Sequence, residues 1–519
     1  MKNIRKFETV AEYEAWMSSD AVYPNVCYVA EDGRIAYNLP PVPLYIEAIE
    51  NLTVTFGNTF EYSKDNSTWT SGTSSTSISA NTGEKVYFRA SGLTPYSSSG
   101  IGAFTISNGK CNVGGNVMSM AYGADYNGQT SITKMYQFTK LFYNAANIVD
   151  ASNLILPATT LVNTCYSYMF SGCTSLVNAP ALPAVTLKNY CYQYMFERCT
   201  SLVNAPALPA TTLATYCYNG MFSGCSSLVT APELPATTLA TYCYSYMFSG
   251  CKSLVNAPAL PAVTLKNYCY QYMFEGCTSL VNAPTLPSTT LAAYCYNSMF
   301  RSCYSLVTAP ELPATNLVES CYQSMFEDCT SLVNAPALPA TTLADTCYSS
   351  MFEGCTSLVN APALPATTLT ISCYNGMFSG CSRLVTAPEL PATTLERACY
   401  YEMFYGCSSL ANAPTLPSTT LAASCYNSMF RSCYSLVTAP ELPATNLVES
   451  CYSSMFRSCS RLNYIKAMFT TEPSSSYTSS WVSSVSSSGT FVKNSAATWE
   501  NTFGTSAIPS GWTVQTADA

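Results

Sequence analysis

The feature that most constrains this chain is a repeat of 26 residues that covers more than half of its length. The frame Cys-Tyr-x-x-Met-Phe-x-x-Cys begins at Cys165 and returns at this constant step until Cys451, which gives 12 copies. A repeat of this length is a single supersecondary unit that cannot bury its apolar side chains alone. Neighbouring units must therefore stack into a solenoid.

One unit, from Cys191 to Tyr216, reads CYQYMFERCTSLVNAPALPATTLATY. At the angular step of an α-helix, the Cys, Tyr, Met, Phe, second Cys and next Leu of the unit fall within one arc about 140° wide. The pattern predicts a short amphipathic helix, a tight turn, a short parallel strand over SLVNA and a proline-rich return. We therefore expect an α/β solenoid of leucine-rich-repeat type, with 26-residue coils that each hold a short helix and a short parallel strand.

The repeated cysteines raise the question of metal, disulfide or redox chemistry. A zinc site needs four converging ligands, whereas seven residues separate the two cysteines of each frame and the chain has no histidine. Disulfides between neighbouring coils satisfy the Cα distance, but the parallel Cβ directions of a ladder oppose them. Cysteine is also among the residue types most often buried. The sequence therefore favours structural columns and predicts no metal, no cofactor and no catalytic residue.

The chain around the repeats divides into further predicted domains. A hairpin in VCYVAEDGRIAYN, turning at Asp32-Gly33, follows a short helix over residues 10–17. Short alternating strands at 52–56, 85–90 and 102–106 indicate a β-sandwich. The predicted domains are a small α+β attachment module with a linker (1–43), the β-sandwich (44–134), an N-terminal cap or half repeat (135–164), the solenoid of 12 repeats (165–469) and a C-terminal cap (470–519).

Composition narrows the classes of partner. Only 10% of the residues are charged and the net charge is -8. No basic stripe is present, which argues against nucleic acid as a partner. No window approaches the apolar length of a membrane span, and the N-terminus lacks the apolar core of a secretory signal peptide. We expect neither membrane insertion nor export by the general secretory route.

The frame MFSGCTSLVNAPALPATTL resembles the bacterial leucine-rich repeats of the BspA-like type. This resemblance implies a surface-exposed solenoid used in adhesion and recognition, without enzymatic activity. The segment KFETVAEYEAWMSSDAVYPNVCYVAEDGRIAYN is similar to the module that opens many tail-fibre and other virion-surface proteins of phages infecting gut Bacteroidales, including crAss-like phages. That second resemblance implies a virion protein, released by lysis, that contacts other virion proteins through this module.

The positions that differ between coils lie on the polar side of the helical wheel and are candidates for a ligand surface. Tyrosine suits such a surface because it offers apolar area with a polar tip. We predict binding of a host cell-surface glycan or protein, with homo-oligomers as a further expectation. Two alternatives stay open, which are a bacterial cell-surface adhesin of the same repeat type and a structural virion decoration without a ligand. The predicted surface comprises Tyr168, Tyr194, Tyr246, Tyr272, Tyr401, Trp481, Trp499 and Trp512.

Overall fold

The computed structural model describes residues 42–90 and 104–517, together with the backbone of three strands nearer the N-terminus. The chain divides into two compact units. The first contains residues 1–187 and 199–210, and the second contains residues 188–198 and 211–519. Most coils of the repeat belong to the second unit.

Three short strands form the sheet nearest the N-terminus: β1 (Arg5–Lys6), β2 (Cys27–Val29) and β3 (Ile35–Tyr37). Strand β2 pairs with β1 in parallel and with β3 in antiparallel orientation, with Cys27 opposite Tyr37. The pairing of the predicted hairpin is thus confirmed. The predicted turn at Asp32-Gly33 and the predicted helix before it lie outside the described residues.

The structure describes nine strands between residues 45 and 155: β4 (Tyr45–Ala48), β5 (Leu52–Phe56), β6 (Phe60–Ser63), β7 (Thr70–Gly72), β8 (Ser77–Ala80), β9 (Lys85–Arg89), β10 (Phe104–Ser107), β11 (Cys111–Asn116) and β12 (Ile148–Ile155). The larger sheet has the order β12-β11-β4-β9-β6-β7, and the smaller sheet has the order β10-β5-β8. A short helix α1 (Ser119–Tyr122) and a 3₁₀ helix (Gly123–Asp125) follow β11.

An aromatic core joins these two sheets. In the smaller sheet the rings of Phe56 and Phe104 lie 4.5 Å apart, and Phe104 also meets Phe88 of the larger sheet edge to face at 4.9 Å. The strands predicted at 52–56 and 85–90 are confirmed as β5 and β9, and the third is observed from Phe104 onward. Strand β12 extends the larger sheet past residue 134. The domain boundaries stay predictions.

The segment between the sheets and the first repeat continues the packing of the repeats. The ring of Phe142 stacks on Phe104 at 5.4 Å and on Phe170 of the first repeat at 5.2 Å. Its backbone N–H donates to the carbonyl of Met169 at 2.9 Å. Phe142 therefore stacks between the sheets and the first repeat, so within the first unit the core of the sheets continues into the core of that repeat.

In each coil a run of linked tight turns stands where the sequence predicts a helix. The N–H groups of Tyr218, Gly220, Phe222 and Gly224 donate to carbonyls of the next coil at 2.7–3.1 Å. The residues that alternate with them donate to the carbonyl three residues earlier in the same coil. Every fourth residue has a left-handed backbone, with φ of 56° at Tyr216, 60° at Gly220 and 75° at Gly224. Half of the backbone donors thus hold neighbouring coils together.

The prediction of a short helix in each coil is therefore wrong. Residues 165–459, all of which the structure describes, contain no α-helix. A run of turns repeats every four residues and an α-helix every 3.6 residues. Over eight residues the directions of the side chains differ by only about 80° between these two backbones, so both bury the same side chains. An α-helix satisfies its N–H groups within one segment. The turns instead leave every second backbone N–H free to donate a hydrogen bond to the neighbouring coil. These hydrogen bonds offset the cost of the left-handed residues, which is about 1–2 kcal/mol for each residue.

The buried columns that the sequence predicts are confirmed. In the coil that starts at Cys321, the side chains of Tyr322, Met325, Phe326 and Cys329 are at most 1% exposed. In the second unit the tyrosine rings of neighbouring coils stack at 5.7–5.9 Å. The phenylalanine rings stack at 5.6–5.9 Å. These two aromatic columns form the centre of the solenoid core.

The cysteines of the repeats are structural. Cys111 and the cysteines from Cys165 to Cys459 are all free and buried. The second cysteine of each frame donates its thiol to the phenylalanine carbonyl of the preceding coil, as Cys329 does to Phe300 at 3.1 Å. Burial raises the pKa of Cys191 to about 12, so its thiol stays protonated at neutral pH. A buried, protonated thiol is a poor nucleophile and a poor metal ligand.

The predicted strand is reduced to one parallel bridge in most coils. Asn256 bridges to Asn282, whose side-chain amide also donates to the Asn256 side-chain oxygen at 2.6 Å. Pro284 follows two residues later and has no N–H to continue the ladder. The narrow sheet that the repeated prolines predict is therefore confirmed.

The coil pattern continues past residue 469, where the sequence places the end of the repeats. A parallel sheet is formed by β13 (Tyr464–Ala467), β14 (Thr490–Lys493) and β15 (Thr513–Thr516), with helix α2 (Ser475–Thr478) between the first two. Tyr464 pairs with Thr490, which keeps the 26-residue step. Phe456 donates its N–H to the carbonyl of Trp481 at 2.8 Å, so Trp481 takes the methionine position of one further coil.

Candidate binding surface

A row of stacked tyrosines lies at the surface of the second unit. The residue before the leading cysteine is tyrosine in five consecutive coils, and the rings stack with centroids 4.3–4.7 Å apart and planes within 13°. Tyr190 is 36% exposed and the other four are half-buried. We call this row the tyrosine ladder; it consists of Tyr190, Tyr216, Tyr242, Tyr268 and Tyr294.

The backbone of the coils holds the ladder in place. Each of its tyrosines has a left-handed φ between 56° and 60°. Each also donates its backbone N–H to the next coil, as Tyr242 does to Asn267 at 3.2 Å. Stacked aromatic pairs contribute about 0.5–1.5 kcal/mol each beyond the area they bury. The rings are therefore fixed at the coil repeat before any ligand arrives.

The stacking decides which parts of the rings are available to a ligand. Both faces of the inner rings are covered by neighbouring rings, so their edges and hydroxyl groups are what remains for solvent. Burial, followed by the neighbouring phenols Tyr268 and Tyr216, raises the pKa of Tyr242 above its usual value. At the last ring, the Tyr294 hydroxyl donates to Glu319 Oε1 at 2.9 Å. The ladder presents hydroxyl groups on an apolar, rigid base.

The predicted tyrosines are all half-buried but do not form one surface. Tyr246 and Tyr272 stack at 4.6 Å, in a column three residues after the leading cysteines. In the same column Tyr194 covers Gly220, where an added Cβ would collide with the tyrosine ring. Tyr168, in the first unit, meets Tyr143 edge to face at 6.5 Å. Tyr401 lies in a different column, five coils after Tyr272.

The prediction that the three tail tryptophans form a ligand surface is wrong, because all three are buried. Trp481 is fully buried and its indole N–H donates to the Ala507 carbonyl at 2.7 Å. Trp512 donates to the Ser486 carbonyl at 2.8 Å. Trp499 is 7% exposed and stacks on a phenylalanine ring. The final coil would otherwise expose the end of its apolar columns to water, and these side chains cover it.

The residue two positions after each leading cysteine is less exposed than the helical wheel predicts. The wheel places it on the polar side, yet Asn297 is 5% exposed. The side chain of Gln271 donates to Asn297 at 3.2 Å, and Asn297 donates to Gln323 at 3.1 Å. Variation at this position therefore changes a partly buried amide ladder that joins coils, and does not mark a ligand surface.

Two shallow grooves lie between coils at the proline-rich return. The first has a volume of about 460 Å³ and is lined by Val281, Pro284, Pro310 and Glu311, among others. The second has about 370 Å³ and contains Glu389 in its wall. Each groove combines apolar walls with one carboxylate. Each lies where a coil that carries a glutamate follows a coil that has no glutamate at the same position.

Two kinds of site are absent from the described part of the chain. No group of three or more Cys, Asp or Glu side chains there has the arrangement needed to hold a metal ion. No helix in the same residues combines the length and the apolar character that a bilayer span needs.

The ladder has a sequence signal that the wheel hides. The triplet Tyr-Cys-Tyr occurs at the start of five consecutive units, first at 190–192 and last at 294–296. On a helical wheel its first tyrosine falls on the polar side, at about 260° from the leading cysteine, among the positions that vary between coils. A constant phase over five coils is nevertheless what a stacked column requires, since each coil repeats the position of the last.

Comparison with known proteins supports the repeat type. The family model described as "BspA type Leucine rich repeat region (6 copies)" matches residues 137–281, 242–385 and 377–496, well over half of the chain in total. No curated protein matches the chain in sequence. Repeats of this type suggest a surface adhesion or protein-binding role, and the family is typical of non-enzymatic binding proteins.

A search of solved structures returned a chain from "Crystal structure of TLR13-ssRNA13 complex", with 15% sequence identity and a TM-score of 0.24. The match covers 63% of this chain and 44% of that chain, so this chain spans less than half of its length. At this TM-score the likeness carries no argument about ligand or function.

Proposed function

The chain belongs to the BspA-type leucine-rich repeat family, and on this premise we propose that it is a non-enzymatic recognition protein that binds a glycan or protein on the surface of a host bacterium. The observation that carries the proposal is the tyrosine ladder. It is an ordered aromatic row at the surface, on a chain with few charges. Tyrosine is enriched at the energetic centres of recognition surfaces.

The rigidity of the ladder supports a role in binding. A ligand that meets freely rotating side chains must order them, at a cost of about 0.5–1.5 kcal/mol for each flexible side chain. The ladder rings are already held by stacking at 4.3–4.7 Å and by backbone bonds to the next coil. Contact with the ladder therefore loses little conformational entropy.

We place the protein on a phage virion, as a tail fibre or a similar surface protein. The support is the resemblance of the N-terminal segment over residues 6–38. In this proposal the N-terminal module contacts other virion proteins, and the coils face the host. Several copies on one particle, as homo-oligomers or as separate fibres, turn weak contacts into useful avidity.

Two other functions make different predictions about where the protein is found. A bacterial cell-surface adhesin, favoured by the repeat family, is detected on uninfected cells. A structural decoration of the virion is found in particles and binds no strain. Mass spectrometry of purified particles and of uninfected cells separates these locations, and peptides confined to uninfected cells would replace the phage proposal by the adhesin.

The test of recognition uses the full chain. Fluorescently labelled protein, as a monomer and in multimerised form, is incubated with a panel of Bacteroidales strains and measured by flow cytometry. We expect binding to some strains and not to others, and competition by unlabelled protein. Absence of binding to every strain in the multimerised form would contradict recognition and favour the decoration.

A further inference from the structure

Glutamates recur at one position of the proline-rich return. Four coils carry a glutamate between a proline and a leucine there, at Glu233, Glu311, Glu389 and Glu441, and the other coils of the array carry Ala or Thr. Glu311 and Glu389 each follow the preceding glutamate by three coils of 26 residues. A chain with only 10% charged residues thus places carboxylates at a regular interval along one column. We call these four residues the glutamate column.

The last member of the glutamate column already has a cationic partner. Lys466 Nζ, in β13 of the next coil, lies 3.1 Å from Glu441 Oε1. After Glu311 and after Glu389, the residue that corresponds to Lys466 is a proline. Both of these glutamates are exposed, and neither forms an ion pair within the described residues. The chain therefore supplies an ammonium group to Glu441 and leaves the other two carboxylates exposed to solvent.

Apolar walls stand beside these two exposed carboxylates. The groove of about 460 Å³ at Glu311 is lined by Val281 and Val307, which are 42% and 47% exposed, and by several prolines. The groove of about 370 Å³ at Glu389 is lined by four prolines, one of which is Pro388. Each groove can cover an aliphatic side chain and present a carboxylate to a charge at its end.

We propose that the grooves at Glu311 and Glu389, named here the lysine grooves, bind two lysine side chains of a partner protein. The methylene groups of a lysine pack on the apolar walls, and its ammonium group stays at the water-exposed carboxylate. Lys466 makes the same pairing with Glu441 inside the chain. The net charge of -8 also attracts a basic partner. The inference rests on the proposed function, since it identifies the partner at the host surface as a protein with exposed lysines.

The distance between the lysine grooves defines the spacing of the two lysines. A continuous series of three parallel bridges runs from Thr308 to Thr386, which lie three residues before Glu311 and Glu389. At the usual spacing of paired strands, three steps separate the two carboxylates by about 14 Å. Residues i and i+4 of an extended chain lie about 13–14 Å apart and point to the same side. The partner segment is therefore extended and carries two lysines four residues apart.

Both grooves are needed for useful affinity. A single exposed ion pair contributes little to binding, and salt screens it. When two lysines belong to one segment, binding of the first holds the second near its groove, so the second contact becomes intramolecular. Affinity for the segment should therefore exceed the affinity for a single lysine and should fall as the salt concentration rises.

The chain offers variants that remove charge and keep the coils. Glu311→Gln and Glu389→Gln preserve the shape of the side chain. Ala337 and Ala363 occupy the same position in the two coils between them, so a coil tolerates an uncharged residue there. Glu396→Gln is the matched control, because Glu396 is an exposed glutamate in the same coil as Glu389 and lines neither groove.

The experiment is fluorescence anisotropy of a labelled, blocked serine-threonine peptide that carries lysines at i and i+4, titrated with the full chain at low salt. A second peptide has both lysines acetylated, which removes their charge. A third has lysines at i and i+3, which point to opposite sides of an extended chain. We expect the first peptide to bind, the acetylated peptide not to bind and the third to bind about tenfold more weakly.

The variants assign this binding to the two grooves. Affinity for the first peptide should fall about tenfold in Glu311→Gln and in Glu389→Gln, become unmeasurable in the double variant and stay unchanged in Glu396→Gln. Failure of the first peptide to bind, or equal binding of the acetylated or the i+3 peptide, would overturn the inference. Binding by the double variant at the strength of the parent would do the same, as would binding of a glucosamine oligomer in place of the lysine peptide.

Strain binding separates this inference from the proposed function. A double variant that binds the same strains as strongly as the parent removes the lysine grooves from recognition and leaves recognition itself in place. Binding of the lysine peptide without binding to any strain supports the grooves and contradicts host recognition.

Discussion

Replacing one trailing cysteine tests whether the thiol column is structural. Cys329 is fully buried, and its thiol donates to the Phe300 carbonyl at 3.1 Å. That carbonyl also accepts the N–H of Cys303 at 3.1 Å, so Cys329→Ala leaves it with one partner. The loss is therefore about 1 kcal/mol of apolar burial and about 0.5–1 kcal/mol of hydrogen bonding. We expect the free energy of unfolding to fall by about 1.5–2 kcal/mol.

Serine at the same position separates packing from polarity. The C–O bond of serine is shorter than the C–S bond of cysteine, so the hydroxyl is held further from the Phe300 carbonyl in an apolar setting. A buried hydroxyl with a poor partner costs about 1–3 kcal/mol. We expect Cys329→Ser to be at least as destabilising as Cys329→Ala. Thr330→Ala, at a half-exposed neighbour, is the control and should change stability by less than about 0.5 kcal/mol.

The assay is guanidinium denaturation followed by circular dichroism, combined with thiol labelling of the native chain. The buried cysteines should not react with an aromatic disulfide reagent until the protein unfolds, because the reagent attacks exposed thiolates. Unchanged stability in both Cys329 variants, together with rapid labelling of the repeats in the folded protein, would refute the structural role.

Three further predictions concern the ladder, the alkaline limit and the cap. Tyr242→Ser removes two stacked neighbours and should destabilise by about 1–3 kcal/mol, roughly twice the effect of Tyr190→Ser, in the same denaturation assay. Burial raises the pKa of Cys191 to about 12, so the contribution of its protonated thiol to stability is complete below the unfolded thiol pKa near 8.5 and is lost as pH rises through about 12. Denaturation midpoints measured from pH 7 to about 11 should therefore fall above about pH 8.5. A constant midpoint over this range would contradict the prediction. Trp481→Ala removes the indole bond and the contact with Tyr452, at a cost of about 3–5 kcal/mol, and faster hydrogen exchange should be confined to the last coils.

The core of the repeat could be predicted from sequence because identical positions in identical coils must stack. The columns that contain Cys165, Tyr166, Met169 and Phe170 follow from the constant 26-residue step alone. The local backbone could not be predicted in the same way. Over so short a segment, a pattern with two buried positions in every four is compatible both with an α-helix and with a run of tight turns. Only the bonds between coils decide between them, and no single coil contains those bonds.

The candidate surface was predicted in part, for a related reason. Tyr246 and Tyr272 were selected by the helical wheel and do stack together. The wheel also places the first tyrosine of each Tyr-Cys-Tyr triplet on the polar side, among the varying positions. The wheel treats one coil at a time and carries no information on stacking between coils, so it does not single out the longer ladder. The sequence predicts exposed tail tryptophans because the cysteine frame stops before them. Trp481-Val482 nevertheless follows Met455-Phe456 by 26 residues, and this spacing is the signal that places Trp481 in the core.

Host recognition through the tyrosine ladder is tested most directly by strain binding of a chain whose ladder is broken and whose coils are intact. The triple variant Tyr216→Ser, Tyr242→Ser and Tyr268→Ser uses the residue that other coils carry at this position. The control is Tyr304→Ser with Tyr434→Ser, which removes two exposed tyrosines outside the ladder. If the tyrosine ladder binds the host, the triple variant keeps the circular dichroism spectrum of the parent but loses strain binding at least about tenfold, whereas the control keeps it. A folded triple variant that binds the same strains as strongly as the control would contradict recognition through the ladder.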